Sequence, residues 1–600
     1  MPTGGTIAAG TGSIGTSGST MTVTQTSNQL ITNWNSFSIG SGATVNFVQP
    51  GASSMALNRV TGQDPSQILG NLNANGQVFL INPNGIAIGA SGRVQTGAFV
   101  ASTLGITDSK FLAHDFNFTG SGGSVTNAGE VSGAVVALIA PTVRNSGTIT
   151  GDTALAAGTD VLLDFDGDGL ISVEVKASTM EALAENSGLI KADGGSAILT
   201  ARGASEAKKG IVNNTGTVEA KAIGSRNGRI LLLGGDETHA SGALKAKFVE
   251  TSAKKVKLDK TLKVETDGGD WLIDPTDINI DVNMATAIEA GLASGNVEIS
   301  TAAAGGDAGD ITVSSGINWA ANVLTLRADR NIAINAVLNG TSTAGLALHY
   351  GQGAVAAGNT ATYTVSAPVN LASTGSFATK LGSDGTVNSY TILTSLGAEG
   401  STTGTDLQGI NGNLAGRYVL GSDIDASATS GWNGGAGFAQ LGDFTTGFTG
   451  TFEGLGHTVS NLHINRPSTQ AIGLFGLTSA ASLSNFGVAG SVTGSSSVGG
   501  AVGWAANSTL SGLWSSATVA SSTGATGGLV GTMFQTTLTR SFASGDVSGG
   551  AVVGGERSGP SAGLWASSTA APSASPMPPA MPPQSGFRWA GWWGRSAAMA

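Results

Sequence analysis

The feature that most constrains this chain is an internal repeat of the form Asn-x-Gly-x-(Val/Ile/Leu), which begins at Asn127, Asn145, Asn186 and Asn214. The first two copies are 18 residues apart, and we interpret the later gaps of 41 and 28 as two coils and as one coil plus an insertion. Asn and Gly tolerate left-handed backbone angles that turn the chain, and the aliphatic residue after them would point into a core. Stacked Asn side chains can also hydrogen-bond to one another. The repeat therefore predicts a solenoid of β-coils.

A second repeat occupies the C-terminal third. Three Gly-rich units recur with periods of 27 and 28 residues, and aliphatic positions keep the same register between them. The repeating positions are Gly473–Gly476, Gly499–Gly503 and Gly527–Gly531, then Leu483, Leu510 and Leu538, and Val492, Val519 and Val547. The pattern stops at Gly555, and a tail rich in Pro, Ala, Ser and Trp follows. We expect this tail to lie outside the fold and to be disordered. A shifted reading frame or a gene fragment would explain why the pattern stops inside a repeat.

Composition agrees with a β-solenoid. The chain has 93 Gly and only 11% charged residues, yet 40% of its residues are hydrophobic, which is too apolar for a disordered chain. Short β-branched segments bounded by Gly, Asn, Asp or Ser dominate, and only Ser178–Glu185 and Met284–Ala293 have helical spacing. The predicted fold class is all-β, a right-handed parallel β-helix with short extra-helical decorations.

Charge and cysteine content exclude several classes of function. A net charge of −11 argues against a nucleic-acid-binding protein, and the absence of Cys removes disulfides and thiolate metal sites. No apolar run is long enough to span a membrane, and Met1–Gly5 lacks the basic and apolar regions of a signal peptide. The chain is then either cytosolic or begins near a mature N-terminus.

The segment Ile68–Ile86, with Asn82-Pro83-Asn84-Gly85-Ile86 at its centre, resembles the hallmark of the secretion domain of the filamentous-haemagglutinin family. The segments Trp34–Ile39, Asn46–Phe47 and Ala56–Val60 stand before it in the order that the family shows. Pro2–Thr6 resembles the start of mature proteins of this family, which favours an exported chain whose signal peptide has been removed. The residues assigned to a secretion and folding motif are Asn73, Asn75, Gly76, Asn82, Pro83, Asn84, Gly85 and Ile86.

The resemblance implies export by two-partner secretion. In this family the N-terminal domain engages the periplasmic domains of a dedicated outer-membrane barrel transporter, and the chain crosses unfolded and winds up outside. We therefore expect a secreted or surface-attached adhesin, a monomeric rod that binds a host-cell surface or glycan receptor and that needs no cofactor, metal or nucleic acid. Each coil contacts only its neighbours, so folding can propagate from the emerging end without ATP.

The resemblance and the repeats together suggest five segments. They are a secretion (haemagglutination-activity) domain over 1–125, a β-helix repeat region over 126–385, an adhesin-type segment over 386–470, repeats of the GLUG type over 471–555, and the tail over 556–600.

In Asn82–Ile86, Asn84 and Gly85 can adopt left-handed turn angles, while Pro83 fixes φ and forbids an additional ladder bond. We expect the motif to serve export and folding and to carry no chemistry.

Other residues suggest competing functions. Asp164–Gly169 begins like a calcium loop, but position 12 is Val175 instead of Glu, so an Asp- and Gly-rich turn is favoured. His457 and His463 have no Cys partner and are interpreted as structural. Asp423, Asp425 and Glu453 could be the paired acids of a polysaccharide-cleaving β-helix enzyme, which is the main alternative to a non-enzymatic adhesin. A secreted cytolysin or toxin-delivery stalk of the same secretion class is a further alternative.

Seven lysines fall within 19 positions: Lys245, Lys247, Lys254, Lys255, Lys257, Lys260 and Lys263. They favour a solvated edge that resists aggregation, with a patch for anionic glycans or lipid headgroups as the second interpretation.

Overall fold

Parallel strands stack into coils along most of the chain in the computed structural model. The structure describes residues 1–165, 171–176, 180–205, 207–304, 306–549 and the backbone of 552–553 and 556–558. In most coils between residues 66 and 381, one short strand lies on each of three faces in turn and pairs in parallel with its counterpart in the next coil. The predicted fold class, a parallel β-helix, is therefore confirmed.

The strands of the three faces share one pattern, in which apolar residues point into a common core. The first face consists of Thr20–Gln25, Thr44–Val48, Asn71–Ala74, Arg93–Gln95, the first halves of Glu130–Ala140 and Thr148–Ala157, Leu189–Lys191, Thr217–Ala220, Ala243–Ala246, Lys263–Glu265, Ile317–Trp319, Leu338–Gly340 and Val369–Leu371. The second face consists of Gln29–Trp34, Met55–Val60, Gln77–Ile81, Ala98–Ser102, the second halves of Glu130–Ala140 and Thr148–Ala157, Ser196–Ala201, Arg229–Gly234, Phe248–Ser252, Asp270–Asp274, Asn296–Ser300, Val323–Arg327, Gly345–Tyr350 and Ser376–Leu381. The third face consists of Ser66–Ile68, Ile86–Ile88, Ser124–Asn127, Thr142–Asn145, Ala182–Asn186, Gly210–Asn214, Glu237–Ala240, Lys255–Leu258, Ile278–Ile280, Ile311–Val313, Ile332–Ile334 and Tyr363–Val365.

Antiparallel elements cover the N-terminal end and part of one side. Thr6–Ala9 pairs with Gln29–Trp34, and Gly12–Ser17 pairs with Thr20–Gln25. A short helix, Asp108–Leu112, and a sheet of Asn117–Thr119, Asp160–Phe165 and Ile171–Val175 pack on the outside of the second face. Strands beneath this layer are buried on both sides, which explains continuous apolar runs such as Val78–Ile81.

The two helix predictions have different outcomes. The prediction at Met284–Ala293 is confirmed by a helix over Val282–Leu292, which packs between Lys263–Glu265 and Ile317–Trp319 in place of a first-face strand. The prediction at Ser178–Glu185 is wrong, because Ala182–Asn186 is a strand. It pairs with Thr142–Asn145 on one side and Gly210–Asn214 on the other, and this two-sided pairing overrides its local spacing. Residues 177–179 lie outside the described part.

A second stack follows, with its own core. It begins where Asn388–Leu393 pairs antiparallel with Ser376–Leu381. Its strands form four further ladders. The first contains Asn388–Leu393, Arg417–Leu420, Thr451–Glu453, Ser482–Ser484, Thr509–Ser511 and Thr537–Thr539, and the second contains Ile424–Asp425, Thr458–Asn465, Gly487–Gly494, Trp514–Ser515 with Thr518–Ser521, and Phe542–Ala543 with Val547–Ser548. The third contains Gln470–Ile472, Ser496–Gly499, Ala525–Gly527 and Val552–Val553, and the fourth contains Phe475–Ser479, Val502–Ala506, Val530–Phe534 and Glu556–Ser558. Two 3-10 segments, Gln408–Gly412 and Ser427–Gly435, lie between them.

The register of the second stack reproduces the predicted period. Leu483 pairs with Leu510 and Leu510 with Leu538, so residues one period apart lie above one another. The expected end of the fold at Gly555 shifts slightly, because the backbone of Glu556–Ser558 continues the ladder beside Thr532–Phe534. Residues 559–600, which include the rest of the predicted tail, lie outside the described part. No helix in the described ranges is both long and apolar enough to cross a membrane.

Candidate functional site

Asn82 organises the turn at the centre of the predicted motif. Its side chain is fully buried, and its amide nitrogen donates to Asp64 O and Ser66 Oγ, both at 3.0 Å. Its Oδ1 accepts from the backbone N–H of Asn84 at 3.0 Å, and its carbonyl accepts from Gly85 N at 3.1 Å. One side chain thus closes a β-turn and ties it to the preceding coil, which is why a buried amide is needed there.

The backbone angles of this turn correct part of the expectation. Gly85 has a φ of +124°, so the predicted left-handed residue is confirmed at that position, whereas Asn84 is not among the residues with positive φ. Because Asn82 Oδ1 already holds the Asn84 N–H, the turn closes without a left-handed residue there. The side chain of Asn84 instead donates to Gly62 O at 2.9 Å and is exposed, as is Pro83. Ile86 is buried and pairs with Ser66 and Val125.

The next coil packs closely against this turn. A Cβ atom at Gly122 would lie 2.3 Å from Pro83 O, and one at Gly123 would lie 2.8 Å from Gly85 N. Gly123 also has a φ of +43°. The turn is therefore held between Asp64–Ser66 on one side and Gly122–Gly123 on the other, with Pro83 and Asn84 facing solvent.

The other motif residues lie at a different place in the coil. Asn75 exchanges two hydrogen bonds of 2.8 Å with the backbone of Gln49, and Gly76 N donates to Gln49 Oε1 at 2.9 Å. Asn73 lies on the first face and donates to Asn46 Oδ1 at 3.0 Å. The motif thus occupies two corners and one face, and within the described residues no hydrogen bond joins Asn73–Gly76 to Asn82–Ile86.

Sequence reasoning missed a buried polar column at the first of these corners. Gln49 Nε2 donates to Gln25 Oε1 at 3.1 Å and to Ser54 O at 2.9 Å, and Gln25 in turn donates to Ser27 O and Met55 O. Both glutamines are buried. Their signal in the sequence was only that each directly follows or ends a strand, which is common for exposed residues as well.

The four Asn-x-Gly units form the ladder that the sequence predicted. Asn127, Asn145, Asn186 and Asn214 are all buried, and each Nδ2 donates to the next Oδ1 at 2.8 Å. The last Nδ2 continues to Ser241 O at 3.1 Å. The 41-residue gap is corrected, because Asn145 pairs directly with Asn186. It spans one coil whose extra length is the hairpin of Asp160–Phe165 and Ile171–Val175, not two coils.

The glycines of these units are required for a different reason from the one expected. None of Gly129, Gly147, Gly188 and Gly216 has a positive φ. A Cβ atom at Gly147 would lie 2.2 Å from Gly129 O, and one at Gly188 would lie 2.1 Å from Gly147 O. Close approach of successive coils, and not left-handed geometry, therefore demands glycine here.

The candidate acids do not form a shared reactive centre. Glu453 is fully buried, and its carboxylate accepts from Tyr363 Oη at 2.7 Å, Ser484 Oγ at 2.6 Å, Asn485 Nδ2 at 3.0 Å and Leu455 N at 2.8 Å. Burial raises the pKa of this carboxyl group, although the hydrogen bonds oppose the shift. Because both carboxylate oxygens of Glu453 accept hydrogen bonds from protein donors, this residue connects the strand at Tyr363 with the second stack.

The neighbouring polar residues are also engaged in structure. His457 is buried between Asp423 Oδ1 at 3.2 Å and Val369 O at 2.9 Å. Asp425 accepts from Ser427 N at 3.0 Å and from Asn461 Nδ2 at 2.9 Å, which lowers the pKa of its carboxyl group. No group of three or more His, Asp or Glu side chains suited to a metal ion occurs in the part of the chain that the structure describes.

The calcium-loop prediction falls largely outside the described residues, because 166–170 are not described. The flanking segments, Asp160–Phe165 and Ile171–Val175, are the two strands of an antiparallel pair.

The lysine-rich segment is divided between faces. Lys245 lies on the first face within 3.8 Å of Glu219 and 3.7 Å of Glu265, while Lys257 lies on the third face 3.0 Å from Glu237. Hydrogen bonds from Lys209, His239 and Lys257 lower the pKa of Glu237 to about 2. Several of the seven charges are thus compensated locally, and the segment does not form one cationic patch.

Comparisons with known proteins find a family match in the N-terminal part of the chain. Residues 2–246 match a family model described as the TPS secretion domain. Two heme/hemopexin-binding proteins of Haemophilus influenzae are 30% identical over 281 residues (43% of this chain, 30% of the relative) and 28% identical over 241 residues (35% of this chain, 26% of the relative). Halomucin of Haloquadratum walsbyi is 45% identical over 104 residues, 16% of this chain and 1% of the relative. The chain thus spans less than a third of the length of these relatives.

Among solved structures, the secretion domain of HMW1 from Haemophilus influenzae aligns with a TM-score of 0.45 at 20% identity, covering 63% of this chain and all of that one.

Proposed function

We propose that this chain is an exoprotein exported by two-partner secretion, in which the N-terminal coils engage a cognate outer-membrane transporter and the remaining coils form a surface adhesin. The match of residues 2–246 to the TPS secretion domain is the observation that carries this proposal. The route is through the periplasm and the outer membrane to the cell surface, and the receptor is a host-cell surface or glycan.

The burial and hydrogen bonding of the Asn82–Ile86 motif support a role in export and folding. Asn82 is a buried connector between coils, whereas Pro83 and Asn84 face solvent at the same turn. The first property suits a nucleus on which later coils stack, and the second leaves two side chains accessible to a transporter. The engaged state of Glu453 and Asp425 favours an adhesin over a polysaccharide-cleaving enzyme, which would need free, adjacent carboxylates.

Export can be tested in the source bacterium with its own transporter, by placing substitutions in the chromosomal copy and measuring the protein in the medium and the periplasm. We expect Asn82→Ala to abolish secretion, because the turn and its bonds to Asp64 and Ser66 are lost. Asn84→Ala removes two hydrogen bonds of this exposed side chain, to Gly62 O and to Asn82 Oδ1, and should reduce secretion if the transporter contacts this turn.

The matched control is Asn339→Ala. Like Asn82, Asn339 connects neighbouring coils through its side chain, with bonds to Asn318 at 2.8 Å and Asn370 at 2.6 Å, but it lies outside residues 2–246. It should leave secretion intact. Normal secretion of an Asn82→Ala, Asn84→Ala double variant would refute the assignment.

Adhesion needs a separate measurement. Purified rod should bind host cells or immobilised glycans saturably, and it should release no product from the same polysaccharides. Release of reducing ends by the purified rod would instead favour the enzyme.

A further inference from the structure

The third face is interrupted at one step between coils. Lys255–Leu258 is the last strand of one parallel sheet, and Ile278–Ile280 is the first strand of the next, and no ladder joins them although the other two faces are paired at the same step. A single backbone bond, Thr276 N to Lys254 O at 3.3 Å, closes one end of the interruption. At the other end the helix Val282–Leu292 begins.

Both strands direct unused backbone groups into this interruption. Lys255 N and Asp259 N donate to the preceding strand, at Asp236 O and Ala240 O. Alternate residues of a parallel strand bond to the same neighbour, so Val256 and Leu258 direct their N–H and C=O groups the other way. On the opposite strand, Ile278 N and Ile280 O bond to the following strand, through Asp310 O and Ser314 N. The N–H and C=O of Asn279 therefore face Val256 and Leu258.

An open cavity of about 430 Å³ lies at this interruption and extends over the preceding strands as far as His239 and Asn213. Its floor is apolar, with Val256, Leu258 and Met284 almost completely buried. Its rim is polar and charged. Lys257 and His239 are each the third residue of their strands and both contact Glu237, while Asp259 and Asp281 lie just past the ends of Lys255–Leu258 and Ile278–Ile280. Lys255, at the first position of the same edge, is exposed, and no ion pair of this side chain is seen within the described residues.

We propose that this interruption is a binding slot for an extended peptide of a partner protein, which would pair with both strand edges and complete the third ladder. Two edges with alternating unused donors and acceptors are the recognition element for strand addition. The alternation of a strand places one side chain in two on the apolar floor and the others at the rim. Lys255 at the start of the slot, and Asp259 and Asp281 at its end, suit a peptide with an acidic residue near one end, aliphatic residues at alternate positions, and a basic residue near the other end.

This inference goes beyond the proposed function and does not depend on export, because it can be tested on the purified full chain. A library of random nonapeptides displayed on phage is selected against the chain, and enriched sequences are made as blocked synthetic peptides. Enriched peptides should share the alternating aliphatic pattern with opposite charges at the ends. On binding, hydrogen exchange of the Val256, Leu258 and Asn279 amides should slow at least tenfold.

Two variants locate the site. Asn279→Pro removes the one N–H that this strand offers to the slot while leaving the ladder to Ile311–Val313, since Pro is tolerated where the N–H faces an open edge. It should weaken peptide binding at least tenfold. Lys255→Glu reverses the cationic end and should weaken binding several-fold, whereas Lys263→Glu, an equal charge change on the first face, should not.

The outcomes are decisive in either direction. Enrichment of no peptide, peptides whose binding is indifferent to Asn279→Pro, or protection that falls elsewhere on the chain would each overturn the slot. Retention of oligosaccharides instead of peptides by the slot, abolished by the same variants, would also overturn it. Circular dichroism of Asn279→Pro and Lys255→Glu should match the parent chain, and if Asn279→Pro unfolds the coil, Lys255→Glu against Lys263→Glu still decides.

Discussion

Asn186 lies in the interior of the asparagine ladder, and its replacement gives the most direct measure of what holds successive coils in register. Asn186→Leu keeps the number and branching of the side-chain heavy atoms, although two methyl groups are bulkier than the amide, and it removes one donor and one acceptor. Asn145 Nδ2 then loses an acceptor at 2.8 Å and Asn214 Oδ1 loses a donor at 2.8 Å, both within a buried column. A buried polar group left without a partner costs about 1–3 kcal/mol, so the two together should lower the free energy of unfolding by about 2–6 kcal/mol.

The assay is urea unfolding of the purified full chain, followed by circular dichroism. The matched control is Asn213→Leu, because Asn213 lies beside the ladder but points outward and makes one bond of 3.1 Å to Glu185. Its change should stay within about 0.5 kcal/mol. The double variant Asn145→Leu, Asn186→Leu should lose less free energy of unfolding than the sum of the losses of the two single variants, because both partners of the broken hydrogen bond are then removed together. The reasoning fails if Asn186→Leu costs no more than Asn213→Leu.

Three further predictions concern close packing and charge. Gly188→Ala should lower the melting temperature strongly, because its Cβ would lie 2.1 Å from Gly147 O, whereas Gly431→Ala, with nothing within 4 Å, should not; equal melting temperatures would contradict this. Burial raises the pKa of Glu453 above its ordinary value of 4.5, so the folded state holds the proton more tightly and its contribution to stability is lost as pH rises. Glu453→Gln should flatten that decline in pH-dependent urea titrations, and an unchanged slope would refute it. Hydrogen bonds lower the pKa of Glu237 from 4.5 to about 2, so its contribution is present above pH 4.5 and lost as pH falls toward 2; Glu237→Gln should remove this acid-side loss, measured by the same titrations.

The repeats allowed the fold and its ladders to be predicted, because the repeated asparagine and aliphatic residues occupy equivalent positions in successive coils. The pairing of Asn127 with Asn145 and the register of Leu483, Leu510 and Leu538 follow from spacing, whereas the 41-residue gap before Asn186 was wrongly interpreted as two coils. The role of the glycines could not be predicted in the same way. Both left-handed geometry and close approach demand glycine, and only the position of the neighbouring carbonyl, such as Gly129 O beside Gly147, distinguishes them.

Long-range partners set the remaining differences. Ala182–Asn186 has helical spacing but becomes a strand because it has a strand on each side. The Gln25–Gln49 column and the Glu453–Tyr363 contact join residues 24 and 90 positions apart, and nothing in the local sequence marks either pair. Within the motif, the turn at Gly85 was predictable from its sequence, whereas the separation of Asn73–Gly76 from Asn82–Ile86 depends on where the coil bends.

The interrupted third face has a mechanical consequence. Hydrogen bonds between the parallel strands of successive coils are slanted but run mainly along the stacking axis, so a force pulling the two ends apart loads successive coil pairs in series. At the step from Lys255–Leu258 to Ile278–Ile280 only two of the three ladders resist that force. A stretched molecule should yield more readily there than at a step where all three ladders are paired. A peptide seated between the two strands would replace the missing ladder, so engaging a partner would raise the force needed to separate these two coils.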